Sequence, residues 1–115
     1  MWNKPTENQL RKIPALYSTD RIPLKEKRIY MHFFLGGCDW YIAEYDPEEQ
    51  IFFGFAILNN DYDMAEWGNI SFKELCELRV SFLEVDRDLH FTPCKAIEVE
   101  KICEAQGWER KGIMK

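Results

Sequence analysis

The residues that could do chemistry begin with "DRDLH", where Asp86, Asp88 and His90 recur at every second position. On a strand, all three side chains project from one face. Two carboxylates and an imidazole suit a divalent cation. Alternate residues of a strand nevertheless stand about 7 Å apart, too far to share one ion without a bend. The segment therefore reads as a solvated polar face, with no metal site. His32, in "RIYMHFFL", reads as a surface or boundary imidazole. Cys38, Cys76, Cys94 and Cys103 show no CxxC spacing and read as reduced, mostly buried thiols. Three serines (Ser18, Ser71, Ser81) supply no nucleophile set, and "GGCDW" lacks the lysine and following helix of a phosphate loop. No cofactor is implied, and the absence of a catalytic signature argues against an enzyme.

Two charges stand out because alternation places them among apolar side chains. Glu44 shares its parity with Trp40 and Ile42 in "DWYIAEYD". Arg87 shares its parity with Leu83, Val85 and Leu89. A guanidinium in an apolar layer keeps its charge, so it must reach the rim or find a carboxylate. A Glu44–Arg87 bridge across the sheet would answer both. Such a pair is either a buried ion pair fixing strand register or an anchor for an anionic ligand in an aromatic pocket.

Elements that could position these residues follow from local pattern. Thr6 with Gln9 is a capping box that opens a short helix through Lys12, with Leu10 and Ile13 on its buried side, and Pro14 stops it. Strands are expected over 28–35, 39–46 and 50–58, with a short fourth in "MAEWGNI". Gly36-Gly37, "PEE" and "NNDYD" are the turns between them. Ser71 with Glu74 caps a second helix, 81–91 alternates as a strand, and Thr92-Pro93 opens a last helix that Gly107 ends. The tail from Trp108 to Lys115 is expected to fray, with Trp108 free to fold back. Short links between successive strands give an antiparallel meander. The fold class is α+β: one domain over 1–115, a four- to five-stranded antiparallel sheet flanked by short helices. One parity set holds Phe53, Phe55 and Ile57 with Trp40 and Ile42. The other holds Tyr41, Ala43 and Tyr45 with Phe52, Ala56 and Leu58.

Charge is unevenly spread. The net charge is −5, but residues 1–34 carry +4, residues 35–91 carry −10 and residues 92–115 carry +1. The acidic middle disfavours nucleic acid, which would otherwise find Arg11, Lys12, Arg21, Lys25, Lys27 and Arg28. No segment nears the roughly 20 apolar residues of a membrane span, and no signal peptide is visible, so a cytoplasmic protein is expected.

The segments "LRKIPALYSTD", "HFFLGGCDWYIAEYD", "IFFGFAIL", "MAEWGNISFKEL" and "VDRDLHFTP" resemble, in order, the bacterial family catalogued as domain of unknown function 2958. The resemblance spans about residues 10–93 and leaves 94–115 as a C-terminal helical extension. It implies a small protein carried on mobile elements such as plasmids and phages, without an agreed activity. Its motif residues here include Pro14, Tyr17, Thr19, Trp40, Tyr41, Glu44, Tyr45, Phe52, Gly54, Arg87 and Asp88. Tyr45 stands where the family often has Phe. The expected function is a non-catalytic interaction protein that presents an acidic, aromatic-rich sheet face to a host or element protein. Its binding residues would be Trp40, Tyr41, Glu44, Tyr45, Arg87 and Asp88. The alternative is a small-ligand-binding protein or enzyme with a Glu44/Arg87 pocket.

Overall fold

Four strands follow one another as the turn signals demand: β2 (Met31–Leu35), β3 (Cys38–Asp46), β4 (Ile51–Ile57) and β5 (Glu66–Ser71). With β8 (Asp86–Arg87) they form a five-stranded antiparallel sheet in the order β5-β4-β3-β2-β8. The computed structural model describes residues Met1–Glu109, so the expectation for the tail beyond Glu109 lies outside the described residues. Two-stranded pairings add β1 (Arg28–Ile29) with β9 (Cys94–Lys95), and β6 (Arg79–Val80) with β7 (Leu83–Glu84). The helices are short: α1 (Glu7–Leu10), α2 (Phe72–Glu77) and α3 (Glu100–Gln106). The fold is α+β, as the pattern predicts.

Helix ends follow the sequence closely. The Thr6 hydroxyl accepts from Gln9 N–H, and the Gln9 side chain accepts from Thr6 N–H, which completes the capping box. Ser71 accepts from Glu74 N–H at α2. Gly107 closes α3 in the left-handed region, φ 69°. Two expected elements are redrawn. The 81–91 strand breaks into β7, β8 and a turn: Ser81 takes φ 57°, and the Asp88 carboxylate accepts from His90 N–H, bending the chain after Arg87. The last helix starts later than Pro93, because Cys94–Lys95 pairs with β1 first and Ala96–Glu98 forms a 3-10 turn.

Both sheet faces are buried, each under its own cover. One face carries Phe33, Trp40, Ile42, Tyr45 and Phe52, packed beneath Leu10, Ile13, Phe72 and Leu75. The other carries Tyr41, Ala43, Phe55 and Ile57, packed against Ile29, Ala96, Val99 and Ile102. The expected parity sets were joined across strands the wrong way. Register places Trp40 opposite Ala56 and Tyr41 opposite Phe55, so Tyr41 belongs with Phe55 and Ile57. A β-bulge between Ile42 and Glu44 then inserts Ala43, and parity reverses beyond it. Glu44 faces with Phe53, and Tyr45 crosses to the side of Phe52. Gly54 sits against this bulge: a Cβ there would stand 2.0 Å from the Tyr41 carbonyl oxygen. Only glycine admits so close a backbone approach.

Candidate functional site

Glu44 and Arg87 do not meet. Arg87 lies opposite Phe33, which lies opposite Trp40, so all three share one row and one face. Glu44 is four residues further along β3, past the bulge, on the other face. That reversal is the physical reason the anticipated bridge is absent. Arg87 Nε donates instead to the Asn3 carbonyl at 2.8 Å, tying the N-terminal segment to the sheet edge.

The partner of Glu44 is the loop that follows Pro14. Its carboxylate is 2% exposed and accepts from Tyr17 N–H at 2.8 Å and Thr19 N–H at 3.1 Å, as well as from the Thr19 hydroxyl. Lys27, also buried, places Nζ 3.8 Å from Glu44 Oε2. The same ammonium donates to the Thr19 carbonyl at 2.5 Å and to Thr19 Oγ1 at 2.8 Å, and it lies 5.7 Å from the centre of the Phe53 ring. A buried carboxylate is tolerated only when paired and hydrogen-bonded, and here every oxygen is used. Tyr17 takes φ 69°, a left-handed backbone costly for an aromatic residue, and its bond to Glu44 offsets that cost. Tyr17 is 67% exposed and lines a 530 Å³ cavity together with Pro23, Leu24, Lys27, Glu44 and Phe53. Burial also removes Lys27 from any phosphate-binding surface made by the basic residues of 11–28.

The second network is centred on His32, which is far from an isolated surface imidazole. Nε2 lies 2.7 Å from Asp39 and Nδ1 lies 3.1 Å from Asp88. Both ring nitrogens therefore face carboxylate oxygens. The ring stacks on Tyr41 at 4.4 Å, and Lys101 of α3 donates to the second Asp39 oxygen at 3.0 Å. Burial opposes the charge on Asp39, but its bonds to His32 and Lys101 hold its carboxyl below the usual range. Asp88 behaves similarly: burial opposes its charge, and hydrogen bonds from His32 and the His90 backbone prevail. Tyr41 shows the reverse, since burial and then the Asp39 charge push its phenol well above the ordinary value. Among the described residues, no group of three or more His, Cys, Asp or Glu side chains is arranged to hold a metal.

The third feature is a groove of 640 Å³ over the face that carries Trp40. Its floor includes Leu35, Trp40, Ala56 and Ile70, and α2 with the β6–β7 hairpin forms one wall through Leu75 and Val80. Exposed apolar side chains crowd this region: Leu58 is 51% exposed, Val80 55%, Leu83 47%, and Phe82, at the hairpin tip, 93%. A run of exposed apolar groups is a more informative signal than any one of them.

Of the six residues singled out from sequence, none forms the open aromatic face that alternation suggested. Tyr41 and Tyr45 are 5% and 7% exposed and point to opposite faces, because the bulge lies between them. Trp40 is buried in the groove floor, Glu44 anchors the loop, Arg87 holds Asn3 and Asp88 holds His32. Sequence reasoning did not join Lys27 to Thr19 and Glu44. The available signal was the parity conflict at Glu44 together with the polar Tyr17-x-Thr19 segment just after Pro14.

This α+β sheet, wrapped on one side by an N-terminal segment pinned to a strand carboxylate, is the architecture in which the family assignment falls. Residues 7–106 match the family described as "Protein of unknown function (DUF2958)", and the chain belongs to that family. The matched span reaches the end of α3. No curated protein and no solved structure matches the chain. No helix among the described residues is long and apolar enough to cross a membrane.

Proposed function

We propose that the protein is a non-catalytic interaction protein that captures a protein partner at the apolar groove between β5, α2 and the β6–β7 hairpin. The observation that carries this reading is the ring of exposed apolar side chains around the groove, with Phe82 presented at the hairpin tip. An aromatic anchor beside a concave apolar floor is the arrangement that concentrates binding energy at protein interfaces. Trp40 shapes the floor, while Tyr41 and Tyr45 support the sheet from within. The mobile-element setting implied by the family resemblance makes the partner a host or element protein of the bacterial cytoplasm.

Selection of a random displayed-peptide library on the full chain tests this. Recovered peptides should lose binding to Phe82→Ser and to Leu83→Asp, with circular dichroism unchanged, because both positions are exposed. Peptides indifferent to both substitutions would contradict the reading.

One observation favours a second reading, a small-ligand pocket beside Glu44: the strained, exposed Tyr17 that lines the cavity. Glu44 and Lys27 already bond within the chain, so recognition there would fall to the Tyr17 ring, Asp20 and Asn69. Ligand-induced thermal stabilisation that disappears in Tyr17→Ala would favour that reading, and its absence across a metabolite panel would count against it.

A further inference from the structure

The two edges of the sheet are treated differently. At β8 the edge is short and already occupied: Trp2 forms a parallel bridge with Asp86, donates to the Val85 carbonyl at 2.9 Å and accepts from Arg87 N–H. At β5 the edge is six residues long, and among the described residues no strand pairs with its outer side. Alternate residues of an edge strand aim N–H and C=O groups outward, where an extended chain can pair with them. Gly68 lies at the middle of β5, and a Cβ there would meet nothing within 4 Å. The strand is not protected by proline, and Glu66 is its only charged residue. Asn69, Ile70 and Ser71 of this strand line the groove, so edge and groove adjoin.

The charge around this edge is one-sided. Residues 58–78, which carry β5 and α2, hold five carboxylates (Asp61, Asp63, Glu66, Glu74 and Glu77) against one lysine, Lys73. None of the five takes part in an ion pair among the described residues, whereas Glu26, Asp39, Glu44, Glu84 and Asp88 all do. Glu74 lines the groove, and Glu66 lies opposite Ala56, on the groove side of the sheet. A cation delivered here meets unneutralised carboxylates.

We propose that β5 accepts an added strand: an extended, cationic peptide segment pairs with the outer edge of β5, and its groove-facing alternate residues include both apolar side chains, placed at the open end of the groove, and basic ones, set against Glu66 and Glu74. This rests on the groove reading and specifies its occupant. Main-chain hydrogen bonds supply affinity in such additions, and alternate side chains supply specificity.

The test uses the full chain and a synthetic lysine–valine peptide of about eight residues, long enough to span β5, in which every second position carries valine or lysine in turn, on one face, and the positions between carry threonine. Two further versions are N-methylated on one or the other alternate set of amides, and a fourth replaces lysine by glutamate. Binding of the parent, loss of at least about tenfold on methylating one set but not the other, and a similar loss for the glutamate version are expected. Equal binding by both methylated peptides, with Leu83→Asp still abolishing it, would overturn strand addition and leave the groove reading intact. Sensitivity to methylation parity without sensitivity to Leu83→Asp would do the opposite. Failure of the parent peptide to bind, while library-selected peptides do bind, would overturn the assigned partner chemistry.

Discussion

Replacing Glu44 by Gln keeps the shape of the side chain and removes only its charge. In the native fold that carboxylate receives the Tyr17 and Thr19 amides and the Thr19 hydroxyl, with Lys27 close by. A glutamine would turn its NH2 group toward one of these donors and leave the Lys27 ammonium buried without a counter-charge. Breaking a buried pair in this way costs about 3–5 kcal/mol. Against a typical domain stability of about 5–15 kcal/mol, Glu44→Gln should be folded but marginal, with Tm lower by about 10–20 °C. Lys27→Met should cost a similar amount, and the double variant should recover about 1–3 kcal/mol of the summed losses. Urea titrations of the four proteins of this cycle give the coupling directly. A loss under about 1 kcal/mol for Glu44→Gln, or strict additivity with Lys27→Met, would refute the claim that this pair pins the 14–27 loop to the sheet.

Gly54→Ala should destabilise by about 3 kcal/mol or more in the same assay, since its Cβ would collide with the Tyr41 carbonyl rather than with a side chain that can move. Acid should unfold the protein through Asp39: its folded carboxyl lies below the unfolded value of 3.8, so its contribution is present above that value and disappears as pH falls through the folded one. Lys101→Met removes one of the groups that depress it, so the variant should lose less Tm between about pH 5 and pH 2 than the parent. Tyr41 acts at the other limit: its folded phenol lies above the unfolded value of 10.0, so its contribution is full below pH 10.0 and is lost as pH rises beyond it. Tyr41→Phe should flatten that alkaline loss in a Tm-against-pH series, and an unchanged slope would show that the phenol is not held neutral by the fold.

Period-2 alternation and turn residues made the meander readable, since "GG", "PEE" and "NNDYD" each fall between paired strands. Capping residues placed both early helices, because Thr6 and Ser71 act on backbone groups only three positions away. The bulge at Ala43 was not legible. One extra residue in β3 leaves no local signature, yet it reverses every side chain beyond it and moves Glu44 away from the face of Arg87. Gly54 is its trace on the neighbouring strand, interpretable only once register is known. The polar partners of Glu44 and His32 were also hidden, since Lys27 and Asp88 come from segments whose approach is decided by packing. The groove escaped for a related reason: Leu83 alternates with Val85 and Leu89 like the buried side of a strand, and only the Ser81 turn shows that Val80, Phe82 and Leu83 belong to an exposed hairpin.

Backbone amide NMR during titration with the lysine–valine peptide tests the central claim most directly. The account predicts shifts concentrated in Glu66–Ser71, α2 and the Arg79–Glu84 hairpin, with little change at Tyr17, Thr19 or Lys27. Shifts gathered around Glu44 and its loop, or none at saturating peptide, would contradict it.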